Sequence, residues 1–185
     1  RLFNPQVSFD GQIKVATSQN SELSGTKWEV TYQLKAEGDS VKTLAGSRSA
    51  GSTDGPGTFA EFRSPSGVAV DSLGNVYVAD TSNHKIRKID PSGNVTTLAG
   101  SGSVGSNDGQ GTSAKFNYPR GVAVDSSGNV YVADPFNNKI RKIDPSGNVT
   151  TFAGSGSAGS TDGQGTSAKF KYPYGVAVDS SGNVY

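Results

Sequence analysis

Apolar residues in this chain come in short runs that alternate with polar ones, and long helices are not expected. Val68-Ala-Val70 leads to Asp71-Ser-Leu-Gly-Asn75, Val76-Tyr-Val-Ala79 to Asp80-Thr-Ser-Asn-His84, and Lys85-Ile-Arg-Lys-Ile89 to Asp90-Pro-Ser-Gly-Asn94, before Val95 to Ala99 closes the series. Four β-prone runs punctuated by Gly, Pro, Asn and Asp predict a four-stranded antiparallel meander. Alternation puts Ile86 and Ile89 on opposite faces of that sheet, each against a neighbour.

The pattern recurs. Gly67, Gly121 and Gly175 each open the word Gly-Val-Ala-Val-Asp at a spacing of 54 residues, and Thr43-Leu-Ala-Gly-Ser47 returns at Thr97 and Thr151 with the same offset. A fixed period of this size, filled with strands, predicts a repeat architecture in which each meander is one blade of a propeller. Between blades, Gly100 to Pro119 is rich in Gly and Ser but holds Thr112-Ser-Ala-Lys-Phe116, which predicts one helical turn anchored by the phenylalanine.

The run from Phe116 through Pro119-x-Gly-Val-Ala-Val-Asp125 to Val130-Tyr-Val-Ala-Asp134, followed by Asn137-Asn-Lys-Ile-Arg-Lys-Ile-Asp144, resembles the NHL-repeat family of β-propellers. The resemblance covers residues 41–185 in register. It implies an all-β fold of four-stranded antiparallel blades, with about three and a half blades in this chain. Residues 47–100 form one blade with its leading loop, 101–154 the next, and 155–185 the first two strands of another. Residues 1–46 read as a divergent blade, because Leu2 to Asp10 and Gly11 to Thr17 align with Phe62 to Asp71 and Gly74 to Asp80. The tail of a preceding β-sandwich domain is the alternative for that stretch, since Trp28, Val30, Tyr32 and Leu34 alternate equally well as a sandwich strand. So few blades do not close a ring, so the chain is expected to be either an excerpt of a longer protein or a protomer that completes its propeller by self-association.

Composition narrows the chemistry. Seventeen Lys and Arg against 16 Asp and Glu leave a net charge of +1, so no field argues for nucleic acid. The absence of Cys and a single His, His84, remove thiolate sites and multi-histidine metal sites within one chain. No apolar run is long enough for a membrane span. No metal or cofactor is expected.

The repeats differ from one another in a restricted place. Residues 67–94 and 121–148 differ at Leu73/Ser127 and, within one loop, at Thr81/Pro135, Ser82/Phe136 and His84/Asn138. The long connections differ at Asn117/Lys171 and Arg120/Tyr174, among others. In a meander this loop and the blade-to-blade connection emerge on one face. That face is the candidate binding surface: Arg63, Ser66, Asn117, Tyr118, Arg120, Lys171, Tyr172 and Tyr174 around the channel mouth, with Thr81, Ser82, His84, Pro135, Phe136 and Asn138 in the loops. Unconstrained drift of loops after duplication accounts for the same variation without a ligand.

Other candidates read as structural. Asp54, Asp108 and Asp162 sit in an Asp-Gly-x-Gly-Thr word without the ligand alternation of a calcium loop, and predict local Asx turns. Asp80 and Asp134 are expected to cap backbone N–H groups. Lys85, Arg87 and Lys88, repeated at Lys139, Arg141 and Lys142, predict a solvated outer rim rather than an RNA site. His84 is expected to be a solvent-exposed loop residue with no nucleophile tied to it. The two Asn-x-Thr sequons, at Asn94 and Asn148, carry little weight.

The functional expectation is a non-enzymatic interaction scaffold that presents one variable face to a protein or glycan partner, outside the cell or at its surface. A structural protein assembling into rings or fibres through blade edges is the second reading. A metal-dependent lyase or lactonase of propeller type is the third, and is disfavoured by the single histidine and the apolar Val-Ala-Val inner strands.

Overall fold

Val, Tyr and Ile at alternate positions between glycine-bearing turns build two antiparallel sheets. The computed structural model describes residues 42–185, within a compact unit that runs Val41–Tyr185. The divergent blade or sandwich tail expected over residues 1–46 lies, but for its last residues, outside the described ones. In chain order the strands are β1 (Gly55–Pro56), β2 (Val68–Val70), β3 (Val76–Asp80), β4 (Lys85–Ile89) and β5 (Asn94–Ala99), then β6 (Gly109–Gln110), β7 (Val122–Val124), β8 (Val130–Asp134), β9 (Lys139–Ile143) and β10 (Asn148–Ala153). The first sheet has the order β1-β5-β4-β3-β2 and the second β6-β10-β9-β8-β7. Each is the expected meander with one addition: a two-residue strand from the leading loop pairs outside the fourth strand, as Gly55 does with Val95. These are consecutive blades of a β-propeller. Among the described residues there is no α-helix, and no helix is long and apolar enough to cross a membrane.

The tight turns explain why the strands fall where they do. Asp71 Oδ1 accepts the N–H groups of Leu73 and Asn75, and its Oδ2 accepts Asn75 Nδ2 and the Tyr77 hydroxyl. Gly74 takes the left-handed φ of 83° that the turn requires. The same box repeats at Asp125 and Asp179, the latter ending on Tyr185. Burial of Tyr77, with its hydrogen bond to Asp71, pushes the phenol up to about 12.

Blades lock face to face. Tyr77, Ala79 and Ile86 of the first sheet meet Phe116, Val122, Val132 and Ile143 of the next in one buried cluster. Ile89 joins Val78, Val95 and Ala60 on the other face, as alternation requires. A 3-10 turn at Gly111–Ser113 precedes Phe116, which is fully buried, so the long connection is a packed element. Innermost strands come close at the glycines that open them. A Cβ built on Gly67 would stand 2.0 Å from the Arg120 carbonyl oxygen, and one on Gly121 would stand 2.6 Å from that of Tyr174. In the third repeat the first two strands meet at the Val178–Val184 bridge.

Two expectations about charge are corrected here. Arg87 and Arg141 do not sit at a solvated rim: both are 0% exposed, because alternation puts them on the same faces as Ile89 and Ile143. Their charges are met. Arg141 pairs with Asp134 at 3.0 Å and with Asp108 at 2.6 Å, and its guanidinium lies over the Phe116 ring. Lys85, Lys88, Lys139 and Lys142 are half-buried. Likewise Asp54 and Asp108 are not local turn formers. Asp54 reaches Arg87 and the N–H of Thr97, and Asp108 reaches Arg141 and the N–H of Thr151, the arginine 33 and the threonine 43 residues further along the chain in each case.

Candidate functional site

The loop between second and third strands and the blade-to-blade connection share one end of each blade. Ser82 N–H donates to the Arg63 carbonyl at 3.0 Å, and Arg63 N–H donates to Asp80 Oδ1 at 2.8 Å. The aspartate thus caps the connection, as expected, and Asp134 does the same for Asn117 N–H. The turns around Gly74 and Pro91 lie together at the opposite end.

A side chain in each loop also reaches into the next blade. His84 and Asn138 each end a 3-10 turn with left-handed φ, 54° and 52°. His84 Nδ1 accepts the N–H of Tyr118 at 3.2 Å, and Asn138 Oδ1 accepts that of Tyr172 at 3.1 Å. Tyr118 and Tyr172 are themselves left-handed, at 54° and 51°. Holding a bulky residue in that region is strained, and the accepted hydrogen bond compensates for it.

The latch sets the aromatic rings in a row. His84 meets Tyr118 edge to face with ring centroids 4.5 Å apart, Tyr118 meets Phe136 at 5.3 Å, and Phe136 meets Tyr172 at 5.6 Å. Tyr118, Phe136 and Tyr172 are 39%, 47% and 46% exposed, so three neighbouring rings face solvent across two blades. Nearer the channel, the Arg120 guanidinium lies 4.8 Å from the centroid of the Tyr174 ring. Arg120 Nε is shielded from solvent and has no hydrogen-bond partner among the described residues.

The sequence-predicted surface divides accordingly. Tyr118, Phe136 and Tyr172 are brought together, and Arg120 is brought to Tyr174. Arg63, Ser66 and Lys171 are exposed, while Asn117, Ser82 and Asn138 are half-buried. Thr81, His84 and Pro135 are buried. For Thr81 the reason is a hydroxyl donated across the blade boundary to the Pro119 carbonyl at 2.8 Å, with Ser66 Oγ 2.6 Å away. His84, expected in solvent, is 7% exposed beneath Tyr118. Burial pulls its imidazole below the ordinary value of 6.5, against the opposing pull of Asp134. These three residues support the surface rather than form it. The His84/Asn138 exchange carried a signal of this role, because both residues tolerate left-handed backbone and both offer a short acceptor.

Asp80, Asp134, Asp54 and Asp108 are committed to structure. Burial pushes the Asp134 carboxyl up, while hydrogen bonds from Asn137 and Asn117 and the charge of Arg141 draw it down. Asp108 lies below its ordinary value because hydrogen bonds from Arg141 and Thr151 outweigh its partial burial. No group of three or more His, Cys, Asp or Glu side chains that could hold a metal occurs among the described residues.

Residues 62–89 match the NHL repeat, and residues 103–162 match the teneurin NHL domain. Protein SUPPRESSOR OF QUENCHING 1 of Arabidopsis thaliana is 41% identical over 95 residues, which are 51% of this chain and 9% of that protein. NHL repeat-containing protein 2 of Homo sapiens is 41% identical over 98 residues, 51% of this chain and 14% of the relative. A probable peptidyl-alpha-hydroxyglycine alpha-amidating lyase of Caenorhabditis elegans is 33% identical over 90 residues, 48% of this chain and 25% of the relative. The chain therefore spans only a minor part of the relatives it matches. Two solved structures from Bacteroides thetaiotaomicron superimpose with TM-scores of 0.56 over 60% of this chain: a protein of unknown function, 35% identical, matched over 29% of its length, and an auxiliary nutrient binding protein, 27% identical, matched over 32%.

Proposed function

We propose that this chain, a member of the NHL-repeat family of β-propellers, is a binding module that recognises a protein partner through the aromatic row on its loop face. The observation that carries the reading is the run of rings Tyr118, Phe136 and Tyr172, half-exposed and held in place from beneath. Exposed aromatics are rigid, lose few rotamers on binding and dominate interface energetics. Beside them Arg120 offers a guanidinium whose direction is set by Tyr174, suited to a carboxylate or carbonyl on the partner. The rings meet tilted or edge to face, a relief that suits interdigitation with side chains better than flat stacking on sugar rings. Binding is also what one structural relative is described as doing, since it is a nutrient binding protein.

The lyase relative keeps an enzymatic reading in view, and Asp80, Asp134 and Asp108 speak against it: each is already spent on an arginine or a backbone N–H. The test is quantitative co-purification of a protein partner with the wild-type chain and with the Tyr118→Ala, Phe136→Ala, Tyr172→Ala triple variant. A specific partner retained by the wild type, with affinity lowered roughly thirtyfold or more in the variant, supports the reading; hot-spot truncations of about 2 kcal/mol each predict at least that much. Retention unaffected by the triple substitution, or recognition confined to immobilised glycans, overturns it.

A further inference from the structure

Comparison of equivalent positions separates the charges that hold the fold from those that do not. Arg87 and Arg141 recur at the same place in both sheets, and each is spent on two aspartates. Positions 63, 117 and 171 instead carry Arg, Asn and Lys, and positions 66, 120 and 174 carry Ser, Arg and Tyr. The repeat frame therefore requires no cation at either place. Arg63, Arg120 and Lys171 make no ion pair among the described residues. Arg120 is the best placed of the three, because Tyr174 fixes the plane of its guanidinium. Its side chain makes no hydrogen bond among the described residues, and a shielded Nε–H without an acceptor calls for one.

The tips of the loop face hold these three cations and no carboxylate: residues 62–66, 81–84, 116–120, 135–138 and 170–174 contain no Asp or Glu. The acids that border these tips in the chain are engaged elsewhere. Asp80 and Asp134 are 0% exposed against Arg87 and Arg141, and Glu61 Oε2 accepts the Thr53 hydroxyl at 2.8 Å. The turns of the opposite end have the reverse sign. Asp71, Asp90, Asp125, Asp144 and Asp179 open them, and residues 71–75, 90–94, 125–129, 144–148 and 179–183 contain no Lys or Arg. An overall charge of +1 thus hides two ends of opposite sign.

Building on the reading that the aromatic row binds a protein, we propose that the bound segment is acidic, a stretch of the partner in which carboxylates flank an apolar side chain. The apolar side chain beds against Tyr118 and Phe136. One carboxylate receives the planar fork of Arg120, two residues beyond Tyr118, and further acids face Arg63 and Lys171. The fork holds a carboxylate through parallel N–H···O bonds, and a guanidinium already stacked on a ring loses little freedom in forming them. Nucleic acid fits this face less well. Three cations offer few phosphate contacts, the rings stand tilted or edge to face rather than open as stacking platforms, and the opposite end repels a polyanion.

The test pans a displayed library of random peptides against the 185-residue chain. Calorimetry then compares the selected peptides with versions in which every Asp and Glu is replaced by Asn and Gln. The selected sequences are expected to place acids beside an aliphatic or aromatic residue. The amide versions should bind at least roughly tenfold more weakly, and added salt should weaken the acidic peptides but not the amide ones. Arg120→Ser should cost a similar factor, and Arg120→Lys should recover only part of it. Serine stands at the equivalent position 66, so Arg120→Ser should keep the wild-type melting temperature. Peptides that bind equally well in amide form, yet lose binding to the Tyr118→Ala, Phe136→Ala, Tyr172→Ala variant, would overturn the acidic preference and leave the aromatic row standing. Unchanged affinity in Arg120→Ser, or tighter binding of single-stranded oligouridylate than of any selected peptide, would also overturn the proposal. A library that yields no binder, or only binders indifferent to the triple variant, would overturn both readings of the face.

Discussion

His84 Nδ1 accepts the backbone N–H of Tyr118 across the boundary between two blades. The bond requires the neutral imidazole, so it ties the loop face to pH. The folded protein holds the His84 value below the ordinary 6.5, chiefly through burial. The unfolded chain therefore binds the proton more readily, and stability must fall on acidification. The contribution is fully present above pH 6.5 and is lost as pH falls from there through the lower folded value. The aspartates of the tight turns, Asp71, Asp125 and Asp179, are held below 3.8 and give up their contribution only in more acidic solution.

Thermal unfolding across mildly acidic pH is expected to show the histidine step in the wild type and to lose it in His84→Asn. Asparagine at Asn138 makes the equivalent bond without titrating, so this variant should fold normally. A step of equal size in both proteins would assign the acid sensitivity to other groups.

The buried arginines should be the most sensitive single positions. Arg141→Met leaves Asp134, which is 0% exposed, without its cation, and breaking a buried pair costs about 3 kcal/mol or more. Urea denaturation is the measurement. Arg141→Lys should rescue little, because an ammonium cannot span Asp134, Asp108 and two carbonyls at once. Asp108→Asn should cost only about 1 kcal/mol or less, since that carboxylate is about half exposed. Equal effects for Asp108→Asn and Arg141→Met would refute the hierarchy.

Much of this could be read in the amino-acid order and some could not. The period, the meander and the turns were legible because Val-Tyr-Val-Ala-Asp and Asp-x-x-Gly-Asn are local instructions. Phe116 was legible as an anchor because it is the one phenylalanine in a mostly polar connection. Arg87 was misread because its charge outweighed its place in the alternation, although it lies on the Ile89 side of the strand. A signal did exist: Asp54 and Arg87 recur together as Asp108 and Arg141 with the same separation. The aromatic row was legible only as a set of residues on one face. Its contiguity depends on left-handed backbone at Tyr118 and Tyr172, which nothing in the local sequence announces.

Close approach of the innermost strands gives a further expectation. Gly121→Ala places a methyl group against the Tyr174 carbonyl oxygen, 2.6 Å away, where backbone rather than a flexible side chain must move. Overpacking of this kind costs about 1–3 kcal/mol. It should also separate Arg120 from Tyr174, so hydrogen exchange at residues 172–176 should speed up along with the loss of stability. A variant as stable as the wild type would show that the blades tolerate a wider spacing at the channel.

The central claim is that the loop face bearing Tyr118, Phe136 and Tyr172 is the surface that binds. Hydroxyl-radical footprinting of the chain with and without a captured protein partner tests it most directly. The account predicts strong protection of those three rings, and unchanged labelling of Leu73 at the opposite end and of Phe59, both freely exposed. Protection at Leu73 or Phe59 with the three rings still open to labelling would contradict it.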